Sequence, residues 1–189
     1  MAVESRAIDA SSLEVRITTM RRRHLRSVLR IENQVYPRPW SLGLFMSELA
    51  LRTSRVYLVA RVGPVVVGYA GLLLSDTDGH ITTIAVDPAW HRGGIGTRLL
   101  LHLSREGIAM GATALTLEVR VTNEAAKELY RTFGYSPAGI RKGYYVETNE
   151  DALVMWVHDV DGDDYRARLA AIEATIPGRT VVDLGGTGG

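Results

Sequence analysis

The sequence predicts one domain of α/β or α+β type, a mixed sheet with helices on both faces. Three observations predict it. Apolar residues switch repeatedly between strand-like and helix-like periods, in the order β-α-α-β-β-β-α-β-α-β-β. The length, 189 residues, suits one domain with a sizeable core and falls short of two. Hydrophobic residues at 46% and charged residues at 23% give an ordinary globular balance.

Residues 1–13 are polar and small and read as a flexible leader. Val15-Arg16-Ile17 reads as a first strand, and Met20 to Val35 as a helix with Leu25, Val28, Leu29, Ile31 and Val35 near helical spacing. Tyr36-Pro37-Arg38-Pro39-Trp40 breaks it, because each proline disfavours helix in the residue before it. Ser41 offers an N-cap for a second helix to Leu51. Strands follow at Arg55 to Val62 and Val65 to Ser75; the small residues in the second imply a close approach by another element. His80 to Val86 is a strand, Gly96 to Met110 a helix, Thr113 to Val121 a strand and Asn123 to Phe133 a helix. Tyr135 to Tyr145 and Ala152 to His158 form a last strand pair. The domain proper is thus expected over 14–158. A C-terminal extension, 159–189, is expected to be helical over Asp164 to Ile176 and then disordered.

Composition excludes several chemistries. There is no cysteine, hence no disulfide, thiolate metal site or cysteine nucleophile, which fits a reducing cytoplasm. No apolar run reaches the ~20 residues of a membrane helix, and no secretion signal opens the chain. A net charge of +1 gives no global pull toward nucleic acid, and Arg21, Arg22, Arg23, Arg26 and Arg30 read as a solvated helix face. The five histidines lack metal-ligand spacing, and Asp159 to Asp164 fails as a calcium loop at its sixth and twelfth positions, so no metal is expected.

His91-Arg92-Gly93-Gly94-Ile95-Gly96 lies between a strand and a helix. A helix start leaves unpaired N–H groups at the positive dipole end, and glycines let a phosphate approach them without a Cβ in the way. Arg92 or Arg98 could add charge. The third glycine of the dinucleotide fingerprint is replaced by Leu99, and no Gly-Lys-Ser/Thr ending makes a P-loop. A plain strand-to-helix turn is an equal reading on spacing alone.

Ile84-Ala85-Val86-Asp87-Pro88, this glycine turn and Thr97-Arg98-Leu99-Leu100 together resemble motif A of the GNAT acetyltransferases. The family pattern is Gln/Arg-x-x-Gly-x-Gly/Ala; Gly94 and Gly96 match, while His91 stands where Gln or Arg is usual. The resemblance implies the GNAT fold, with a mixed, mostly antiparallel twisted sheet, and acetyl-coenzyme A as cosubstrate. Its pyrophosphate would lie on the amides of Arg92, Gly93, Gly94, Ile95, Gly96 and Thr97, and its pantetheine arm on the splayed strand at Ile84, Ala85 and Val86.

Further blocks resemble the bacterial ribosomal-protein-alanine (protein N-terminal) acetyltransferases. They are Leu117 to Ala126, Leu129-Tyr130, Phe133-Gly134-Tyr135, Ile140 to Tyr145, Glu150 to Met155 and, upstream, Pro39-Trp40-Ser41 with Phe45 and Glu48. Leu117, Val119 and Val121 point to one face of their strand, so Glu118 projects from the other. An α-amine with pKa near ~8 is mostly protonated at neutral pH, so a base must free it and an acid should protonate the departing thiolate. The resemblance assigns the base to Glu118 and the acid to Tyr130, and sets Asn123 on the pantetheine arm. On the acceptor side it implies Arg141, Tyr144 and Tyr145, with Trp40 and Tyr36 on the opposite wall; Glu150 and Asp151 either position Arg141 or meet a basic substrate.

The expected activity is acetyl transfer to a protein N-terminus, such as that of a ribosomal protein, by direct attack in a ternary complex. A lysine or small-amine acceptor on the same fold stays open, as does a non-catalytic acyl-CoA-binding module. The expected state is a cytoplasmic monomer or weak dimer that needs neither nucleic acid nor membrane.

Overall fold

The computed structural model describes residues 8–185. Its elements are β1 (Glu14–Thr19), α1 (Leu25–Val35), α2 (Leu42–Ala50), β2 (Arg55–Val62), β3 (Val65–Ser75), β4 (Asp78–Val86), α3 (Ile95–Ala109), β5 (Ala114–Arg120), α4 (Glu124–Thr132), β6 (Ser136–Tyr145), β7 (Glu150–His158), α5 (Asp163–Thr175) and β8 (Arg179–Asp183). The strands form one sheet in the order β6-β7-β5-β4-β3-β2-β1-β8. Only β4–β5 and β1–β8 are parallel pairs; the others are antiparallel.

Two apolar clusters cover the two faces. Phe45, Val28 and Ile31 from α1 and α2 close on Tyr57, Val59 and Tyr69. On the other face Leu99, Leu100 and Leu103 of α3 pack on Val15, Ile17, Leu58 and Leu117, joined by Tyr130 and by Tyr165, Leu169 and Ile172 of α5. The close approach expected within β3 falls at Gly71, where the Tyr57 ring fills the space a Cβ would need.

Ser41 caps α2 as expected, its Oγ accepting from Leu44 N at 3.2 Å. The first helix starts later than its apolar period implies. Met20 N still bonds to Tyr57 O at 2.8 Å, extending the β1–β2 ladder, and a 3₁₀ turn at Arg22–His24 intervenes. The described part of the leader carries local structure. Asp9 caps a 3₁₀ turn at Ala10–Ser12, while residues 1–7 lie outside the described part.

The expectation of disorder after the C-terminal helix is corrected. Arg179–Asp183, rich in β-branched residues, adds β8 in parallel to β1 from Glu14↔Arg179 to Thr18↔Asp183. The segment after His158 therefore shares the core through α5 and the sheet through β8. Thr187, Gly188 and Gly189 lie outside the described residues.

Candidate active site

Parallel strands β4 and β5 pair only from Asp78↔Ala114 to His80↔Thr116 and then diverge. The divergence opens a cleft of about 880 Å³ between Ile84, Ala85 and Val86 on one wall and Leu117, Glu118 and Val119 on the other. Asp87 N bonds back to Val67 O at 2.8 Å, and Ala85 is paired with Tyr69, so these two turn their peptide groups toward β3. Peptide directions alternate along a strand, so Ile84 and Val86 face the cleft. The Ile84 carbonyl is held there by the Tyr36 hydroxyl, which donates to it at 2.7 Å. Ala85 also lines the cleft, with its peptide groups turned to β3.

At one end of the cleft lies the glycine turn. Gly94 is the N-cap of α3 in the left-handed region (φ 68°), and no side chain caps the helix. The first intrahelical bond runs from Arg98 N to Gly94 O at 3.2 Å, so the amides of Ile95, Gly96 and Thr97 precede it and remain free for a ligand. Arg92, also left-handed at φ 64°, and His91 line the same space with Gly94 to Thr97. Gly93 packs inward toward Leu13 and Trp90. This is a cradle for an anionic group. Arg98 does not reach it directly. Its side chain is fully buried beneath the loop and donates to the Gly93 carbonyl at 2.8 Å, which corrects the expectation of a charge laid on the phosphate.

Beyond the last paired rung lies Glu118. Its Oε2 is 2.5 Å from His80 Nε2, and its Oε1 is 3.4 Å from Arg141 Nη2. The His80 hydrogen bond holds the Glu118 carboxyl below the usual glutamate value, against the desolvation that raises it; the charges of His80 and Arg141 act in the same direction as the bond. A carboxylate in that state is ionised at neutral pH and able to accept a proton. Tyr130 lines the cleft from α4, 6% exposed, and burial pushes its hydroxyl well above the ordinary phenol range. Asn123 spends its Oδ1 on capping α4, accepting from Ala126 N at 3.1 Å, and keeps its amide nitrogen for the cleft.

The acceptor side is built from the loop after α1 and the β6–β7 hairpin. Buried Glu32 fixes the loop, accepting from Trp40 N at 2.8 Å and from the Tyr69 hydroxyl, and Trp40 rests on Phe45 with centroids 5.3 Å apart. Across the cleft, Tyr144 and Tyr145 meet edge to face at 5.1 Å. Arg120 sets the hairpin. Its guanidinium lies 3.9 Å from the Tyr145 ring centroid and pairs with Glu147 at 2.7 Å and Glu150 at 3.1 Å. Neither Glu150 nor Asp151 positions Arg141: Glu150 serves Arg120 and Thr122, and Asp151 holds Lys142 and Gly143 N.

The structure thus gathers Trp40, Ile84, Val86, Gly94 to Thr97, Glu118, Asn123, Tyr130, Tyr144 and Tyr145 around one cleft. Arg141 joins through Glu118. Sequence reading missed His80 and Arg120 as site residues. The signal for His80 was its place at the start of the strand whose neighbour carries Glu118; for Arg120, its shared face with Glu118. Among the described residues no group of three His, Cys, Asp or Glu could hold a metal ion, and no helix is long and apolar enough to cross a membrane.

Free helix-start amides facing a carboxylate–imidazole pair across splayed parallel strands suit an enzyme that takes a group from an anionic carrier. The chain belongs to the acetyltransferase (GNAT) family, whose model matches residues 25–135. It is 40% identical over 124 residues to the N-alpha-acetyltransferase RimI of Mycobacterium tuberculosis, spanning 62% of this chain and 74% of that relative. It is 33% identical over 141 residues to the [ribosomal protein bS18]-alanine N-acetyltransferase of Escherichia coli (strain K12), spanning 74% of this chain and 94% of the relative. The crystal structure of the ribosomal-protein-S18-alanine N-acetyltransferase from Escherichia coli aligns with a TM-score of 0.70 at 31% identity, covering 77% of this chain and 94% of that one. The chain is an N-acetyltransferase of the GNAT fold, as the motif resemblance implied.

Proposed function

We propose that the protein transfers acetyl from acetyl-coenzyme A to the N-terminal α-amine of a protein, with a ribosomal-protein alanine as the acceptor type its relatives' names suggest. The observation that carries this reading is one cleft holding the free α3 amides, the Glu118–His80 pair and Tyr130 together.

The amides of Gly94 to Thr97 hold the pyrophosphate, Ile84 and Val86 offer backbone groups to the pantetheine arm, and Asn123 contacts that arm from α4. Trp40, Tyr144 and Tyr145 line the acceptor's approach, and Arg141 borders Glu118. The α-amine loses its proton to the ionised Glu118 carboxylate, which His80 orients. The freed nitrogen attacks the thioester carbonyl, the C–S bond breaks as Tyr130 gives its proton to the leaving thiolate, and the proton the acylated nitrogen must still lose returns to the Tyr130 phenolate. Acetyl passes directly between substrates, since no cysteine is present to take it. We place the activity in the cytoplasm, where the cysteine-free chain would meet newly made ribosomal proteins.

The test is acetylation of an alanine-starting peptide beside the same peptide with a blocked α-amine. Transfer to the free amine alone is expected. Equal transfer to the blocked peptide through a lysine overturns the acceptor assignment.

A further inference from the structure

Arg98 lies four residues after Gly94 on α3 and is 0% exposed. A guanidinium stays charged at neutral pH, so burying one demands that its donors be met. Each of its three nitrogens meets a neutral oxygen. Nη1 donates to the Gly93 carbonyl at 2.8 Å, Nε to Thr180 Oγ1 at 2.9 Å and Nη2 to the Pro177 carbonyl. Among the described residues no carboxylate lies within salt-bridge distance of Arg98. Desolvation accordingly pulls its pKa down.

The position of this cation matters. A Cβ built on Gly94 would stand 2.9 Å from Arg98 Nη1, so the charge lies directly under the glycine turn. A trans peptide points its C=O and the following N–H in opposite directions. With the Gly93 carbonyl drawn inward by Nη1, the Gly94 N–H is turned outward to the cradle. The other two anchors of Arg98 belong to residues 177–180, the entry to β8, far beyond the residues 25–135 matched by the family model. That entry is itself fastened, Arg179 N donating to Leu13 O at 2.8 Å.

We propose that Arg98 is a positioning residue for acetyl-coenzyme A, held by the C-terminal strand: it aims the Gly94 amide at the pyrophosphate and sets a buried counter-charge behind it. The proposal rests on the reading that this loop binds the donor's pyrophosphate. Docking of β8 and binding of the anion then share one side chain, so each strengthens the other.

The experiment uses the full-length enzyme, an alanine-starting peptide and two donors, acetyl-coenzyme A and S-acetylpantetheine, which has the same thioester without the pyrophosphate. Thr180→Val removes the hydroxyl acceptor and keeps the shape. Its KM for acetyl-coenzyme A should rise about fivefold, the worth of one hydrogen bond, with kcat unchanged. Its KM for S-acetylpantetheine should not move, and Thr180→Ser should restore the wild-type value. Equal rises for both donors, or a rise for neither, overturn the proposal. Hydrogen exchange of the wild type gives a second reading. Coenzyme A should slow exchange of the amides at 179–183, and unchanged exchange with the site saturated overturns the coupling. A wild type that uses both donors with the same KM removes the pyrophosphate reading itself, and this proposal with it, before any variant is made.

Discussion

His80, on the last paired rung of β4 and β5, and Glu118, two residues past it, meet at 2.5 Å between Nε2 and Oε2. The sheet stops pairing where the imidazole and the carboxylate come together, so the strand splay that opens the cleft also lines it with the carboxylate proposed as the base. Glu118 keeps only 9% of its side chain exposed and lines the cleft. Replacing Glu118 with Gln keeps the shape and removes the proton acceptor. The expected result is a fall in kcat of about 10²–10³ near neutral pH with the Kd for acetyl-coenzyme A unchanged. Calorimetric titration beside steady-state kinetics checks both halves, and an unchanged kcat removes Glu118 as the base.

His80→Ala tests the other member of the pair. The hydrogen bond from His80 is the largest influence lowering the Glu118 carboxyl. Without it that carboxyl takes up protons at higher pH, and a base must be unprotonated to act. The acidic limb of the kcat/KM profile is therefore expected to move upward in pH. A limb that stays in place, or moves down, shows that His80 does not govern this titration.

Tyr130→Phe should behave differently. Burial, with smaller effects from Tyr36 and Tyr145, pushes the Tyr130 hydroxyl up, so it stays protonated throughout the assay range. The variant should lose about tenfold to a hundredfold in kcat by the same factor from pH 6 to 9. A loss confined to high pH would mean that the phenol titrates and acts in another role.

Much of this site was legible in the sequence because its parts are local. The free α3 amides follow from one glycine turn, and the outward direction of Glu118 follows from alternation along one strand. What stayed hidden depended on pairing across the chain. His80 lies 38 residues from Glu118, and only the parallel register of β4 with β5 brings them together. Strand β8 is five residues long and pairs with a strand that begins at Glu14, so no local period announces it. Arg98 was one of two arginines expected to add charge at the glycine turn. Its direction was set by oxygens near residue 180 that no nearby motif reveals.

Tyr36→Phe removes the hydroxyl that holds the Ile84 carbonyl on the unpaired edge of β4. The part-buried carbonyl then loses its partner, at a cost of about 0.5–1.5 kcal/mol in unfolding free energy. The KM for acetyl-coenzyme A should change with it, since the edge of β4 lines the donor's cleft. Chemical denaturation and donor titration check the two effects. Full stability in the variant would show that the bond contributes nothing to the splayed edge.

Glu32→Gln concerns the acceptor loop and has a pH signature. Desolvation raises the Glu32 carboxyl above its ordinary value, only partly opposed by the hydrogen bond from Trp40 N. A carboxyl whose folded pKa lies above its unfolded pKa binds its proton more tightly in the folded state. Its contribution is complete below the unfolded value, near ~4.3, and is lost as pH rises through the folded value. A glutamine can still accept from Trp40 N through its oxygen and donate to the Tyr69 oxygen through its nitrogen. It carries no charge to desolvate. The wild type should therefore lose stability relative to Glu32→Gln as pH rises from about 4.3 through the raised value, and the difference should be flat at higher pH. Thermal unfolding of both proteins from pH 4 to 8 measures this. A stability difference that does not vary with pH would mean that Glu32 titrates alike in the folded and unfolded chain.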